Sequence, residues 1–298
     1  MTFKVGFVPE QVSLPIYRLA DADSSIELVE CPGGTGEMIG RLNENEVDVA
    51  IALTESLIAG LATGKGRYKL VGSAVDSPLN WAVVTGKKSS YESIGDLRKT
   101  VIGISRVGSG SQVMANYMAW QQKWFSDAAN ETVEPIEFVV LNTFEALRNA
   151  TNDGTISAFL WEWYTTKPYL DSGEVRFIGS VVTPWPSWTI ARSLASQPEA
   201  VTSFLDNLSK HTREADSQAS RDGPNVDYIV HKFGYNREDF VEWQKNVKYP
   251  HDTRIVKEGL IISVLDTLGR AGVVKDPSSG WHIEEFVDTK VANLISEL

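Results

Sequence analysis

Short apolar runs, each closed by a turn residue and followed by a stretch of helical period, recur through the first 190 of the 298 residues. This recurrence restricts the fold more than any single motif does. Lys4–Val8 is such a run, ended by Pro9; Ser13 then precedes Leu14-Pro15-Ile16-Tyr17, a hydroxyl and a first-turn proline that start a helix. Ile26–Glu30 runs through Pro32-Gly33-Gly34-Thr35-Gly36 into a helix bearing Met38, Ile39 and Leu42. Val47–Leu53 follows, and Thr54-Glu55-Ser56 opens a helix with Leu57, Ile58 and Leu61 on one face. Strands that alternate with helices form a mostly parallel sheet covered on both faces.

The pattern resumes after residue 100. Val101–Ser105 is a strand, Gly108–Ser111 a glycine–serine turn and Gln112–Phe125 a helix; Ile136–Leu141, Ile156–Trp161 and Gly173–Ser180 are further strands. A helix over Thr143–Asn149 stops at Asn152-Asp153-Gly154. Beyond the rigid connector Thr183–Trp188, the helical spacing of Pro198–Ser217, Val226–Phe233, Arg237–Asn246 and Arg254–Leu268 predicts an α-rich return to the first block. Two lobes result: residues 1–85 with 190–298, and 86–189, with crossings near Trp81–Lys88 and Ser180–Ala191.

Composition narrows the partners. Lys plus Arg number 28 against 39 Asp plus Glu, a formal charge of −11, which opposes nucleic acid or an anionic membrane as main partner. The one cysteine, Cys31, has no internal disulfide partner, and His211, His231, His251 and His282 lie too far apart in sequence for a metal motif. No metal and no cofactor are therefore expected. No segment approaches the ~20 apolar residues of a membrane helix. Because Phe3–Val8 reads at once as a strand rather than as a leader, a cytoplasmic location is expected.

In open α/β sheets the binding crevice lies beyond the C-terminal strand ends. Those ends carry Gln11 and Ser13, Glu55 and Ser56, Ser105 and Arg106, and Trp161-Glu162-Trp163; Trp81 and Trp185 sit by the crossings. In Gly108-Ser109-Gly110-Ser111, glycines free backbone N–H groups, serines add hydroxyl donors, and the next helix presents its positive end. The turn suits a carboxylate, sulfonate or phosphate, or is simply a helix cap. No Walker lysine follows it. Strand alternation would send Trp161 and Trp163 to one side, to stack on a flat ring, and Glu162 to the other, to accept its N–H groups. Glu55 and Glu162 would then face one another across the crevice, with Arg106 neutralising an anionic tail. Interlobe packing of the tryptophans and a cap role for Glu55 are the competing readings.

These motifs, in this order, resemble a known family. Phe3–Tyr17, the glycine turn leading to Asp48–Ile51, Gly103-Ile104-Ser105 with Gly108–Ser111, and Gly154, Ala158 and Glu162 are similar to the nitrate/taurine/thiamine-precursor (SsuA-like) class of type II periplasmic binding proteins. The resemblance implies a two-lobed α/β fold with mixed sheets flanked by helices and two hinge crossings. The chain looks most like an intracellular fungal branch that includes thiamine-pyrimidine synthases. The resemblance implies that those use a cysteine-rich motif with iron, a lysine-bound pyridoxal phosphate and a sacrificed histidine, and this chain has no cysteine cluster.

The expectation is a binding protein that closes on a small aromatic or anionic metabolite (thiamine-pyrimidine-like, sulfonate or carboxylate), without catalytic residues. Two alternatives stand beside it. One is an enzyme of heterocycle metabolism on the same scaffold; the other is a non-catalytic interaction protein with a vestigial cleft, its protein partner unknown.

Overall fold

The computed structural model describes residues 2–297. Its strands are β1 (Phe3–Phe7), β2 (Ile26–Glu30), β3 (Val49–Leu53), β4 (Tyr68–Val75), β5 (Asn80–Gly86), β6 (Val101–Ile104), β7 (Phe125–Asp127), β8 (Thr132–Val133), β9 (Glu137–Val140), β10 (Ala158–Glu162), β11 (Val175–Val182), β12 (Trp188–Ser193), β13 (Ile255–Lys257) and β14 (Asn293–Ile295). The helices used below are α1 (Leu14–Ala22), α2 (Thr35–Asn43), α3 (Thr54–Ala62), α4 (Gly110–Gln121), α5 (Phe144–Asp153), α6 (Trp163–Asp171), α7 (Pro198–Asp216), α8 (Gln218–Arg221), α9 (Pro224–Phe233), α10 (Arg237–Asn246) and α11 (Glu258–Arg270).

Two five-stranded sheets result, in the orders β2-β1-β3-β12-β4 and β11-β5-β10-β6-β9. In each, parallel pairs lie beside antiparallel ones: β1 pairs parallel with β2 and β3, while β12 runs antiparallel between β3 and β4. β3 is buried along its whole length because strands flank both edges and helices cover both faces.

The chain passes between the sheets twice, through residues 76–79 and 183–187. The first crossing differs from the sequence expectation, which keeps residues up to 85 with the first lobe. Trp81–Lys88 reads as a crossing in the sequence, yet β5 lies between β11 and β10 in the second sheet. The return strand likewise begins at Trp188, opposite Leu53 and Val75.

Local signals set the helix ends. Ser109 Oγ accepts the Gln112 N–H at the start of α4, Thr143 caps α5, and Asn236 accepts two N–H groups at the start of α10; Gly154 and Gly234 close α5 and α9 in the left-handed region. α4 is apolar nearly all round, with Val113, Met114, Ala115, Met118 and Ala119 buried. The tertiary structure explains this: α4 packs on β6 and β10 of its own sheet and on α3 and α11 of the other half. One hydrophobic core therefore runs through both halves, taking in Leu53, Trp81, Met114, Tyr117 and Trp185. A smaller cluster around Phe159 lies on the far side of the second sheet. Among the described residues no helix is long and apolar enough to cross a membrane.

Candidate functional site

The strand ends of the two sheets meet over a narrow cavity of about 50 Å³. The first half contributes Val8, Glu10, Gly34, Thr35, Leu53 and Trp188, and the second Trp81, Ser105, Ser109, Gly110, Ser111, Trp161 and Glu162. A second cavity of about 70 Å³ continues from it past Glu10, Glu162, Leu79 and Trp188 toward Gln11, Asn80, Tyr164 and Trp243. A water-sized group needs roughly 10–15 Å³, so the first space admits the head of a ligand and no more.

The two spaces differ in chemistry. The first is rich in donors. The indole N–H groups of Trp81 and Trp188 are buried and reach no protein acceptor. Ser109 and Ser111 share a 2.9 Å hydroxyl contact, and the Ser105 N–H donates to Ser111 Oγ at 3.4 Å. A buried donor without a partner costs ~1–3 kcal/mol, so the two indoles mark positions suited to acceptor atoms. The second space is rich in acceptors. Among the described residues, Gln11 Oε1 and Asn80 Oδ1 are buried and reach no donor, and no lysine or arginine lines the wall.

Glu10 and Glu162 stand where the two spaces join. Burial, reinforced by the Glu162 charge, pushes Glu10 up to about 8, against hydrogen bonds from Thr165 and Trp161 that act downward. Burial also raises Glu162, opposed by the start of α6, where Glu162 Oε2 accepts the Thr165 N–H at 2.6 Å. Near neutral pH the Glu10–Glu162 pair therefore keeps a proton and is able to donate as well as accept.

Seven sequence-expected residues line the first cavity: Trp81, Ser105, Ser109, Gly110, Ser111, Trp161 and Glu162; Gln11 lines the second. Gly110 has a steric reason to be glycine, because a Cβ there would lie 2.3 Å from Leu53 Cδ1 and 2.9 Å from the Trp81 ring. The strand ends at Glu162 and α6 begins at Trp163, so alternation does not hold: Trp161 and Glu162 share the cavity. Trp163 turns away onto the Phe177 ring, with centroids 4.9 Å apart. Trp161 stacks on Phe144 at 5.0 Å.

The remaining expected residues lie elsewhere. Ser13 Oγ donates to the Val8 carbonyl at 2.8 Å and ties the turn into α1. Glu55 is fully buried and accepts the Trp185 indole N–H at 3.0 Å, so these two form a core pair rather than walls of the crevice. The carboxylate that faces Glu162 is Glu10, not Glu55. The reason lies in the helix start: Glu55 sits in the first turn of α3, on its inward side. Arg106 reaches across to the other half and donates to the Gly33 carbonyl, so it is engaged there rather than held for an anionic tail. Ser56 and Gly108 line a different cavity.

Glu10, Thr35 and Leu79 are not among the site residues that the sequence suggests, and Trp188 reads there, with Trp185, as hinge packing rather than as a ligand stacker. Glu10 had a legible signal, since it follows the strand-ending Pro9 in a loop already marked as a crevice edge. The place of Trp188 at the cavity depends on β12 inserting between β3 and β4, which no local pattern shows.

Residues 81–181 match the model of the Ca3427-like PBP family. Over 100% of this chain and 98% of the other, the structure is similar to the CA3427 gene product of Candida albicans, which defines a family with the generic periplasmic-binding-protein fold. The identity is 31% and the TM-score 0.85. The alkanesulfonate-binding protein SsuA of Xanthomonas axonopodis pv. citri, bound to MOPS, aligns over 99% of this chain and 98% of its own, at 14% identity and a TM-score of 0.71. The periplasmic aliphatic sulphonate binding protein SsuA of Escherichia coli aligns over 100% and 95%, at 14% identity and 0.64. These last two show likeness of fold alone. No curated protein sequence matches.

Proposed function

Since the chain belongs to the CA3427 family of proteins with the periplasmic-binding-protein fold, we propose that it binds a small molecule between two lobes, residues 2–79 with 183–297 and residues 80–182. The observation that carries this reading is the bipolar cavity at the meeting of the sheets. Orphaned indole N–H groups and serine hydroxyls stand at one end, Gln11 and Asn80 at the other, and the Glu10–Glu162 pair where the two spaces join. The complementary ligand carries an acceptor or anionic group at one end, such as a carboxylate or sulfonate, and N–H donors at the other, as in an aminopyrimidine or an amine. The sulfonate binders among the structural relatives agree with the first half of that description. Such a ligand exceeds the enclosed space, so entry parts the lobes and binding favours their closure.

A thermal-shift screen of aminopyrimidines, thiamine precursors, sulfonates and amino acids tests this, because a ligand of the folded state raises the melting temperature by mass action. A hit should lose its shift in Trp81→Phe and Glu162→Ala, with both variants folded. A hit that shifts both variants as it does the parent would reject the cavity as its site. Conversion of a bound compound over time would instead mark an enzyme.

The continuous core favours one second reading, a protein whose cleft has closed for good and which acts through its surface. Small-angle scattering separates the two. A binding protein populates an expanded open form without ligand; a permanently packed one keeps a single compact radius under all conditions.

A further inference from the structure

The large space between the two halves is not in the cleft. On the other side of α4 a groove of about 440 Å³ opens between α2 and α3 on one wall and α4, Pro135–Phe138 and Gly272-Val273 on the other. That volume lies within the ~300–1,000 Å³ range of small-molecule pockets. Small residues, Ala59 and Gly60 among them, form one wall and so admit a slender or flat body; Val113, Ile136 and Phe138 make the opposite wall apolar. Its polar side chains are Ser56, Thr63, Lys65, Gln112 and Asn116, and the one charge among them is positive. No Asp or Glu lines it, although the chain carries 39 of them, and Lys65 stands exposed at the rim without an ion pair among the described residues. Ser56, 1% exposed, lines the groove with a hydroxyl that reaches no partner.

We propose that this groove is a second ligand site, for an amphipathic organic anion. The apolar body lies between Ala59 and Ile136, Lys65 at the rim meets the negative charge, and the buried Ser56 hydroxyl can donate to an acceptor atom carried on the body. The site is independent of the cleft reading. It also touches both halves, so an occupant bridges them and holds them together, which couples the groove to the cleft through any lobe motion.

The test is a fluorescence titration of the full-length protein with 8-anilinonaphthalene-1-sulfonate, followed by displacement with octanoate. One saturable site is expected. Ala59→Trp, which fills the groove, should weaken binding at least about tenfold by overpacking. Lys65→Glu should weaken it about threefold, the scale of an exposed charge pair, and Lys65→Arg should leave it unchanged. Trp81→Phe and Glu162→Ala should titrate like the parent, so a failed cleft leaves this result standing. Circular dichroism checks the fold of Ala59→Trp, and the exposed Lys65 variants carry the test if that variant does not fold. Absence of saturable binding, or parental binding by Ala59→Trp or Lys65→Glu, would overturn the proposal.

Discussion

Glu10, just past the end of β1, and Glu162, at the end of β10, bring carboxyl groups from different sheets to the same two cavities, where the Glu162 charge raises the cost of ionising Glu10. Like charges at one buried place cannot both be carried cheaply, so one site keeps a proton.

Stability should therefore fall as the pH rises. Glu10 is lifted from 4.5 to about 8 and Glu55 to about 7, so the folded chain binds protons more tightly than the unfolded one between those limits. The contribution is complete below about 4.5, the unfolded value, and lost as the pH passes through about 8. Urea midpoints measured from pH 5 to 9 should decline over this window. Glu10→Gln, which cannot ionise, should flatten the decline; an unchanged slope in that variant would contradict the assignment.

Arg106 joins the two halves by donating to the Gly33 carbonyl. It fits there because Gly33 has no side chain: a Cβ at that position would lie 2.0 Å from Arg106 Nη1. Arg106→Ala should shift the population toward an open form, seen as a larger radius of gyration in scattering. Melting temperature should move little, since the arginine is only partly buried; loss of this bond is worth about 1 kcal/mol. An identical scattering profile would show that the contact is not a latch.

Trp185→Phe separates core from site. It removes the only side-chain donor to Glu55 among the described residues, leaving the buried carboxyl without it at a cost of ~1–3 kcal/mol. The expected result is a lower denaturation midpoint with ligand shifts intact. Loss of ligand response at unchanged stability would return Glu55 and Trp185 to the binding surface.

The sequence by itself determined the kind of elements and much of their order. Periodicity and turn chemistry are local: Ser109 caps α4 and Gly154 closes α5 through atoms a few residues away, and such signals survive without knowledge of the fold. For the same reason the strand-end serines, Trp161 and Glu162 were readable as crevice residues. What only the tertiary structure decided was pairing and facing. β12 enters the first sheet beside β3, which brings Trp188 to the cavity, and α3 turns Glu55 inward onto Trp185 while Glu10 takes the place opposite Glu162. These outcomes depend on contacts between residues more than a hundred positions apart, and no local pattern of polarity encodes which of two buried acids meets which partner.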